Sequence, residues 1–262
     1  MNYKAYLERI GYTGELQPTL EVLQQLQKHH LLAVPFENLD IHNGVPIELD
    51  VEKIFDKVVL QKRGGFCYEL NGVYFELLTA LGFDVRRISA KVYSSSEGTY
   101  SPEYDHMALL VTIEGEEYLT DVGFGEFSFA PLKIELNKVQ ADARGDYFFD
   151  KYDESYYRVS RIENGEIRPE YIFRKAARAF DEFAGMCHFH QTDSRSHFRQ
   201  QSMITRPTEQ GRITLTENKL KIKEGDLTKE IPLKDATEYE AYLWKYFGLK
   251  PAGSNNQSGA GM

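Results

Sequence analysis

The chain has 262 residues, 42% of them hydrophobic, and a formal net charge of −9 at neutral pH. That length and apolar content allow a sizeable core, and the acidic balance argues against general binding of nucleic acid. The only cysteines, Cys67 and Cys187, are too few for a disulfide framework. No apolar run approaches the ~18 residues of a membrane-spanning helix and no signal peptide is recognisable, so we expect a cytoplasmic protein without a membrane partner.

Helical spacing of apolar residues dominates positions 1–82. A short helix is predicted over residues 3–10, and Thr19 and Asp50 are predicted to cap two further helices. Between those two helices, residues 34–40 are predicted to be extended, because proline at position 35 disfavours helix at the residue before it.

A fourth helix is predicted to begin at Cys67, directly after a Gly64-Gly65 pair that lets the backbone turn sharply. A thiol at a helix start meets unpaired N–H groups and the positive end of the macrodipole, so we expect Cys67 to be unusually acidic. The alternative is a structural cysteine, since free cysteines are often buried as small hydrophobes. The apolar face of this helix is Leu70, Val73, Tyr74, Leu77, Leu78 and Leu81.

Residues 83–177 change to the period of strands and contain the strongest turn signal, Asn164-Gly165. A series of short strands of this kind predicts a small barrel or sandwich. The predicted strands cover residues 85–93, 106–113, 118–122, 147–150, 156–162 and 167–173.

Residues 178–251 are mixed, and residues 252–262 are predicted to form a flexible tail. A short helix is predicted over residues 181–190, and a capping box of Thr237 and Glu240 is predicted to open a last helix ending at Gly248. Short strands are predicted at residues 213–216, 219–223 and 228–232. The fold class is therefore α+β.

A thiol nucleophile needs a base and an orienting group, and one hairpin offers both. His106 opens a predicted strand whose partner ends at Asp121, which places both at the open end of the hairpin around Gly115. Taken singly, His106 could be a hydrogen-bonded strand-end histidine and Asp121 a turn carboxylate. As a set with Cys67, a nucleophile–base–orienter triad is the better interpretation.

These residues stand in four distinctive segments. The segments are Arg63-Gly64-Gly65-Phe66-Cys67-Tyr68-Glu69-Leu70-Asn71, Val34-Pro35-Phe36-Glu37-Asn38-Leu39, Asp105-His106-Met107 and Asp121-Val122-Gly123-Phe124-Gly125. Together they resemble the arylamine N-acetyltransferase family, over nearly the whole chain up to about residue 250. Cys67, His106 and Asp121 match the family's catalytic positions.

The resemblance implies an N-terminal helical bundle (1–82), a β-barrel-like domain (83–177) and a C-terminal α/β lid (178–251). It also implies ping-pong transfer of an acetyl group from acetyl-CoA to an arylamine, arylhydrazine or N-hydroxyarylamine, and a role in xenobiotic metabolism.

The resemblance also implies binding residues. It places Phe36 at the wall of the acceptor pocket. Phe124, a large apolar group between two glycines, is interpreted as a wall or gate of that pocket, with Tyr68 as a further ring contact. Core packing is the alternative role for Phe124. The resemblance places Thr205 at the coenzyme cleft.

Several charged groups have mainly structural explanations. Arg63 and Glu37 are predicted to pair beneath the nucleophile. Arg195, Arg199, Arg206 and Arg212 either face solvent or supply donors to the coenzyme phosphates. No spacing of histidine and cysteine predicts a metal site.

Two other functions remain open on the sequence. A Cys-His-Asp hydrolase or amide synthase would share the triad but use another acyl donor or acceptor. A non-catalytic binding module would have no reason to keep all three groups. Release of free CoA thiol from acetyl-CoA, with and without an aromatic amine, separates the three.

Overall fold

Helices fill the first third of the computed structural model, which describes residues 2–250; the predicted tail, 252–262, lies outside the described residues. The predicted caps are confirmed: Thr19 accepts from the Val22 N–H, and Asp50 accepts from two N–H groups of the following turn. A turn of π-helix over Asp56–Leu60 extends the third predicted helix. The helices of this part are α1 (Tyr3–Ile10), α2 (Leu20–Ala33), α3 (Leu39–His42), α4 (Val51–Phe55) and α5 (Cys67–Ala80).

The segment predicted to be extended is only partly so. Strand β1 is short, Phe36–Glu37, and the chain turns at once into α3. The Glu37 carboxylate causes this turn, because its Oε2 accepts a 2.9 Å hydrogen bond from the Leu39 N–H. The prediction of extended backbone to residue 40 is therefore wrong beyond Glu37.

A nine-stranded antiparallel sheet forms the middle of the chain, in the order β6-β5-β4-β2-β10-β9-β8-β7, with β3 paired to β2. A bridge between Leu136 and Phe149 brings the two ends together, so the sheet is a nearly closed barrel, as predicted. Aromatic and branched side chains fill its interior, including Tyr147, Phe149 and Phe173. The strands are β2 (Asp84–Ser94), β3 (Thr99–Tyr100), β4 (His106–Ile113), β5 (Glu116–Thr120), β6 (Leu132–Lys133), β7 (Val139–Asp142), β8 (Gly145–Lys151), β9 (Tyr157–Glu163) and β10 (Glu166–Phe173).

The β4–β5 hairpin differs from its prediction by one residue. Its turn is Glu114-Gly115, both with positive φ, and Ile113 pairs directly with Glu116. This is a two-residue turn whose backbone twist matches the right-handed twist of the two flanking strands. Strand β5 ends at Thr120 rather than at Val122, because the Val122 N–H donates to Asn71 on α5 instead of to the sheet.

A second, five-stranded sheet in the order β1-β11-β12-β13-β14 belongs to the last third. Strand β11, which the sequence did not predict, pairs Phe36 with Thr205 and so joins this sheet to the first third. The short helix predicted over 181–190 is confirmed, following a 3-10 turn at Phe180–Phe183. The elements here are α6 (Ala184–Thr192), α7 (His197–Gln200), β11 (Met203–Thr208), β12 (Gly211–Thr216), β13 (Lys219–Glu224), β14 (Leu227–Pro232) and α8 (Ala236–Phe247).

The predicted capping box of α8 is wrong. The N-cap is Asp235, which accepts from the Glu238 N–H, and Glu238 in turn accepts from the Lys234 N–H. The predicted end at Gly248 is confirmed by its left-handed conformation, φ +68°. Between residues 2 and 250, no helix combines the length and the apolar character needed to cross a membrane.

Candidate active site

Cys67 is the first residue of α5, as the sequence predicts, and its side chain is buried. The two glycines before it are required by close packing rather than by positive φ. A Cβ on Gly64 would lie 2.1 Å from the Pro35 carbonyl oxygen, and one on Gly65 would lie 2.7 Å from Glu69 Oε2. The loop before Cys67 is therefore pressed against β1 and against its own helix.

His106 and Asp121 form a buried pair, with 2.6 Å between His106 Nε2 and Asp121 Oδ2. Asp121 Oδ1 accepts hydrogen bonds from Asn71 Nδ2 and the Gly123 N–H, both at 2.9 Å. Oδ2 also accepts from the Tyr171 hydroxyl at 3.0 Å. The carboxylate is thus held from three elements, and its bond to Nε2 leaves Nδ1 as the ring nitrogen available to Cys67.

Cys67 and His106 line one cavity of about 200 Å³. Phe36 and Phe124 both line it, as the sequence led us to expect, and the Phe124 ring centroid lies 5.0 Å from that of His106. The remaining lining residues are Val92, Asp105, Gly123, Gly125, His197, Phe198, Met203 and Thr205.

Tyr68 is not brought to this cavity. Its side chain is fully buried, and its hydroxyl donates to the carbonyl oxygens of Tyr104, at 2.8 Å, and Asp105, at 3.1 Å. Its ring packs against Phe66 and Phe183. The structure therefore does not place Tyr68 at the cavity wall, and its side chain instead fixes the loop that carries Asp105.

A family model described as N-acetyltransferase matches residues 19–254. The pineal gland isozyme NAT-10 of arylamine N-acetyltransferase from Gallus gallus is 34% identical, covering 95% of this chain and 94% of the relative. The chain belongs to the arylamine N-acetyltransferases.

Solved structures of the family agree with this fold. The Mycobacterium marinum arylamine N-acetyltransferase in complex with CoA is 34% identical with a TM-score of 0.86, covering 94% of this chain and 92% of that one. A Bacillus cereus arylamine N-acetyltransferase with a Cys-His-Glu catalytic triad is 26% identical with a TM-score of 0.88, covering 96% of this chain and all of that one.

The predicted acidity of the acetyltransferase thiol does not follow from its helix end. Burial raises the pKa of Cys67 well above its usual value, a backbone hydrogen bond from Met107 opposes the rise, and the charges of Asp105 and Asp121 add to it. The prediction of an acidic isolated thiol is therefore wrong. Ionisation needs a proton acceptor inside the same cavity; His106 and His197 both line it, and His106 is the one paired with a buried carboxylate, Asp121.

Thr205 lines the cavity at the β11–β12 pair, and its hydroxyl accepts a 3.0 Å hydrogen bond from Arg212 Nη1. Arg212 also donates to the Gly125 carbonyl oxygen. The other three arginines of the predicted cluster lie apart: Arg195 pairs with Asp193, Arg199 donates to the Ile41 carbonyl and Arg206 to that of Tyr246. Of the four, Arg212 is the one that contacts cavity-lining residues.

The predicted pair of Arg63 and Glu37 is confirmed, with 2.9 Å between Nε and Oε1. It belongs to a buried network, because Arg63 also contacts Asp40, and Lys57 lies 2.7 Å from both Asp40 and Glu69. Glu69 Oε2 accepts from the Phe66 N–H at the start of α5. The network ties β1, α3 and the π-helical turn after α4 to the loop before Cys67.

Two positioning residues escaped the sequence analysis. Asn71 lies one turn after Cys67, so its place on the same helix face was a usable signal. Tyr171 is 50 residues from Asp121 and gave no local signal. Within residues 2–250, no group of three or more histidine, cysteine, aspartate or glutamate residues could hold a metal ion.

Proposed function

We propose that this protein transfers an acetyl group from acetyl-CoA to arylamines, arylhydrazines or N-hydroxyarylamines by a ping-pong mechanism through acetyl-Cys67. The observation that carries the proposal is the shared cavity of Cys67 and His106, with His106 Nε2 held 2.6 Å from buried Asp121. The names of the relatives and the CoA complex of the Mycobacterium marinum enzyme support the substrate classes.

In this mechanism Cys67 is the nucleophile and His106 the base. Asp121 accepts the Nε2–H and so selects the tautomer in which Nδ1 can take the thiol proton. The thiolate and the imidazolium then form together, which offsets the cost that burial imposes on an isolated thiolate.

The acetyl group moves in two steps. The Cys67 thiolate attacks the thioester carbonyl of acetyl-CoA, and CoA leaves as its thiol after taking the proton from His106. The arylamine nitrogen then attacks acetyl-Cys67, loses a proton to His106, and the thiolate is released. N–H groups at the start of α5, including that of Cys67, stabilise the oxyanion of both intermediates.

Aromatic walls select the acceptor. Phe36 and Phe124 line the cavity together with Phe198, whose ring centroid lies 5.9 Å from that of Phe36. A cavity of about 200 Å³ between such rings suits a flat aromatic amine better than a branched aliphatic one.

The coenzyme enters past Thr205, where Arg212 supplies positive charge next to the cavity. Phosphates require such a local donor because the chain as a whole is acidic. Both cysteines are free, which fits the reducing environment of the cytoplasm.

The test is to incubate the protein with acetyl-CoA and 4-methylaniline and to measure CoA thiol and acetylated amine. We expect both products in equal amounts from wild type, none from Cys67→Ala, and near wild-type rates from Cys187→Ala, the matched control at the other buried thiol. Thiol release without the amine at the same rate would instead identify a hydrolase, and no release would identify a binding module.

A further inference from the structure

A second aspartate–histidine pair lies beside the transfer cavity. Asp105 precedes His106 in the chain and lines the same cavity as Cys67. Its Oδ1 lies 3.2 Å from Nε2 of His190 on α6. His190 is 2% exposed and the Asp105 side chain 14% exposed, so water screens this charge pair only weakly.

His190 is held firmly in its place. Its Nδ1 lies 3.0 Å from Ser196 Oγ, and its ring packs edge-on against Phe198, a wall of the cavity. The backbone of Asp105 is also fixed, because the Tyr68 hydroxyl donates to the Asp105 carbonyl oxygen. The pair therefore joins the C-terminal third to the loop that carries the catalytic histidine.

The charge of Asp105 acts on the nucleophile. A carboxylate close to a thiol disfavours the thiolate, and Asp105 raises the pKa of Cys67 in addition to the effect of burial. Burial raises the pKa of Asp105 itself, but the contact with His190, the Ser101 hydroxyl and the charge of His197 together outweigh burial and bring the net pKa below its usual value. Asp105 is consequently ionised at neutral pH, next to a thiol that must become negative.

The charged and titratable groups around this centre come from several elements. His106 Nε2 contacts Asp121, whereas His190 is the histidine that contacts the Asp105 carboxylate. The groups facing Cys67 are Asp105, His106, Asp121, Cys187 and His197, and those facing Asp105 are His190, His197 and the Ser101 hydroxyl.

We propose that His190 is a positioning residue of the transfer site: by pairing with Asp105 it screens the second carboxylate of the Cys67 cavity and so allows the thiolate to form there. The proposal rests on the proposed role of Cys67 as the nucleophile.

The experiment is alkylation of Cys67 by iodoacetamide as a function of pH, followed by mass spectrometry of the peptide that contains Cys67. His190→Gln should move the midpoint of reactivity upward by about one pH unit, because an unscreened neighbouring charge shifts a pKa by about that much or more. Asp105→Asn should move it downward by a similar amount. His188→Gln, an exposed histidine of the same helix, is the matched control and should leave the midpoint unchanged.

The double variant Asp105→Asn/His190→Gln decides whether His190 acts through Asp105. It should have the midpoint of Asp105→Asn alone, since no charge is left to screen. Additive shifts, or an unchanged midpoint in His190→Gln, would overturn the proposal. If His190→Gln does not fold, the test relies on Asp105→Asn. An unchanged or raised midpoint of reactivity in Asp105→Asn would then overturn the proposal. Because alkylation needs no acetyl donor, failure here is distinct from failure of the acetyl-transfer proposal.

Discussion

Asn71, one helical turn beyond Cys67 on α5, donates a 2.9 Å hydrogen bond to Oδ1 of Asp121 and thereby connects this helix to the carboxylate that contacts His106. The same amide nitrogen donates to the Met107 carbonyl, and its oxygen accepts from the Val122 N–H. One buried amide side chain is therefore hydrogen-bonded to the backbone next to His106 and to the backbone next to Asp121.

We predict that Asn71→Ala lowers both stability and activity. It leaves the buried Met107 carbonyl and Val122 N–H without their partner, which costs about 1–3 kcal/mol for each unsatisfied group. We also expect kcat/KM to fall at least tenfold, because Asp121 loses one of the bonds that fix it. Urea denaturation and steady-state kinetics measure the two effects, with exposed Asn43→Ala as the control. Wild-type activity in an Asn71→Ala variant of reduced stability would show that Asn71 contributes to folding and not to activity.

The sequence predicted those parts of the site that depend on local pattern. The apolar period after Cys67 predicted α5, and the hairpin around Gly115 brought His106 and Asp121 to one end even though its register was off by one residue. The sequence around Gly115 does not distinguish a two-residue turn from a three-residue turn, which shifts the register by one residue. Such a shift still leaves His106 and Asp121 close together at the open end of the hairpin.

The parts that failed depend on contacts far along the chain. Strand β11 contains Arg206, which the sequence analysis assigned to a cluster of arginines, and the strand forms because β1 and β12 pair with it. The predicted acidity of Cys67 was wrong because burial raises the pKa of the thiol. That burial comes from the packed C-terminal third as well as from the helix of Cys67 itself. Likewise, the predicted helix over residues 181–190 contained His190 but gave no sign of its partner, because Asp105 is 85 positions away.

A pH-dependent effect on stability is expected at Glu170 on β10. Burial raises the pKa of its carboxyl to about 7, although the charge of Arg161 opposes this. The folded pKa lies above the unfolded value of ~4.3, so the folded state holds a proton that the unfolded state releases between these pH values. Ionised Glu170 therefore destabilises the fold increasingly from about pH 4.5 to pH 7.

Replacing this carboxyl by an amide removes the penalty. We predict that Glu170→Gln raises the free energy of unfolding by about 1–2 kcal/mol at pH 8 and leaves it nearly unchanged at pH 4.5. Urea denaturation at the two pH values measures this, and Glu166→Gln, exposed on the same strand, should show no such difference. An equal effect at both pH values would contradict a raised pKa of the half-buried Glu170 carboxyl.

Arg212 offers a separate test of the coenzyme path. Burial and the neighbouring charge of Arg144 lower its pKa to about 10, so it remains a cation at neutral pH. We predict that Arg212→Met raises KM for acetyl-CoA about tenfold, the loss expected for one charge-assisted contact to phosphate.

A donor without phosphates separates binding from positioning. Transfer from S-acetyl-N-acetylcysteamine should be the same in Arg212→Met and wild type if Arg212 acts on the phosphates. Arg195→Met is the control, because it removes an exposed arginine that pairs with Asp193. This variant should leave transfer from both donors unchanged. A parallel loss with both donors would show that Arg212 instead supports Thr205 and Gly125 at the cavity wall.

The order of events follows from the size of the cavity. About 200 Å³ next to Cys67 and His106 accommodates one reacting group at a time, so the coenzyme arm and the arylamine should occupy it in turn, with the acetyl group waiting on Cys67. Double-reciprocal plots at several acetyl-CoA concentrations should therefore be parallel. Intact mass after acetyl-CoA alone should show one added acetyl group on wild type and on Cys187→Ala, and none on Cys67→Ala. Intersecting lines without an acetylated species would mean direct transfer in a ternary complex, and Cys67 would then be no covalent carrier.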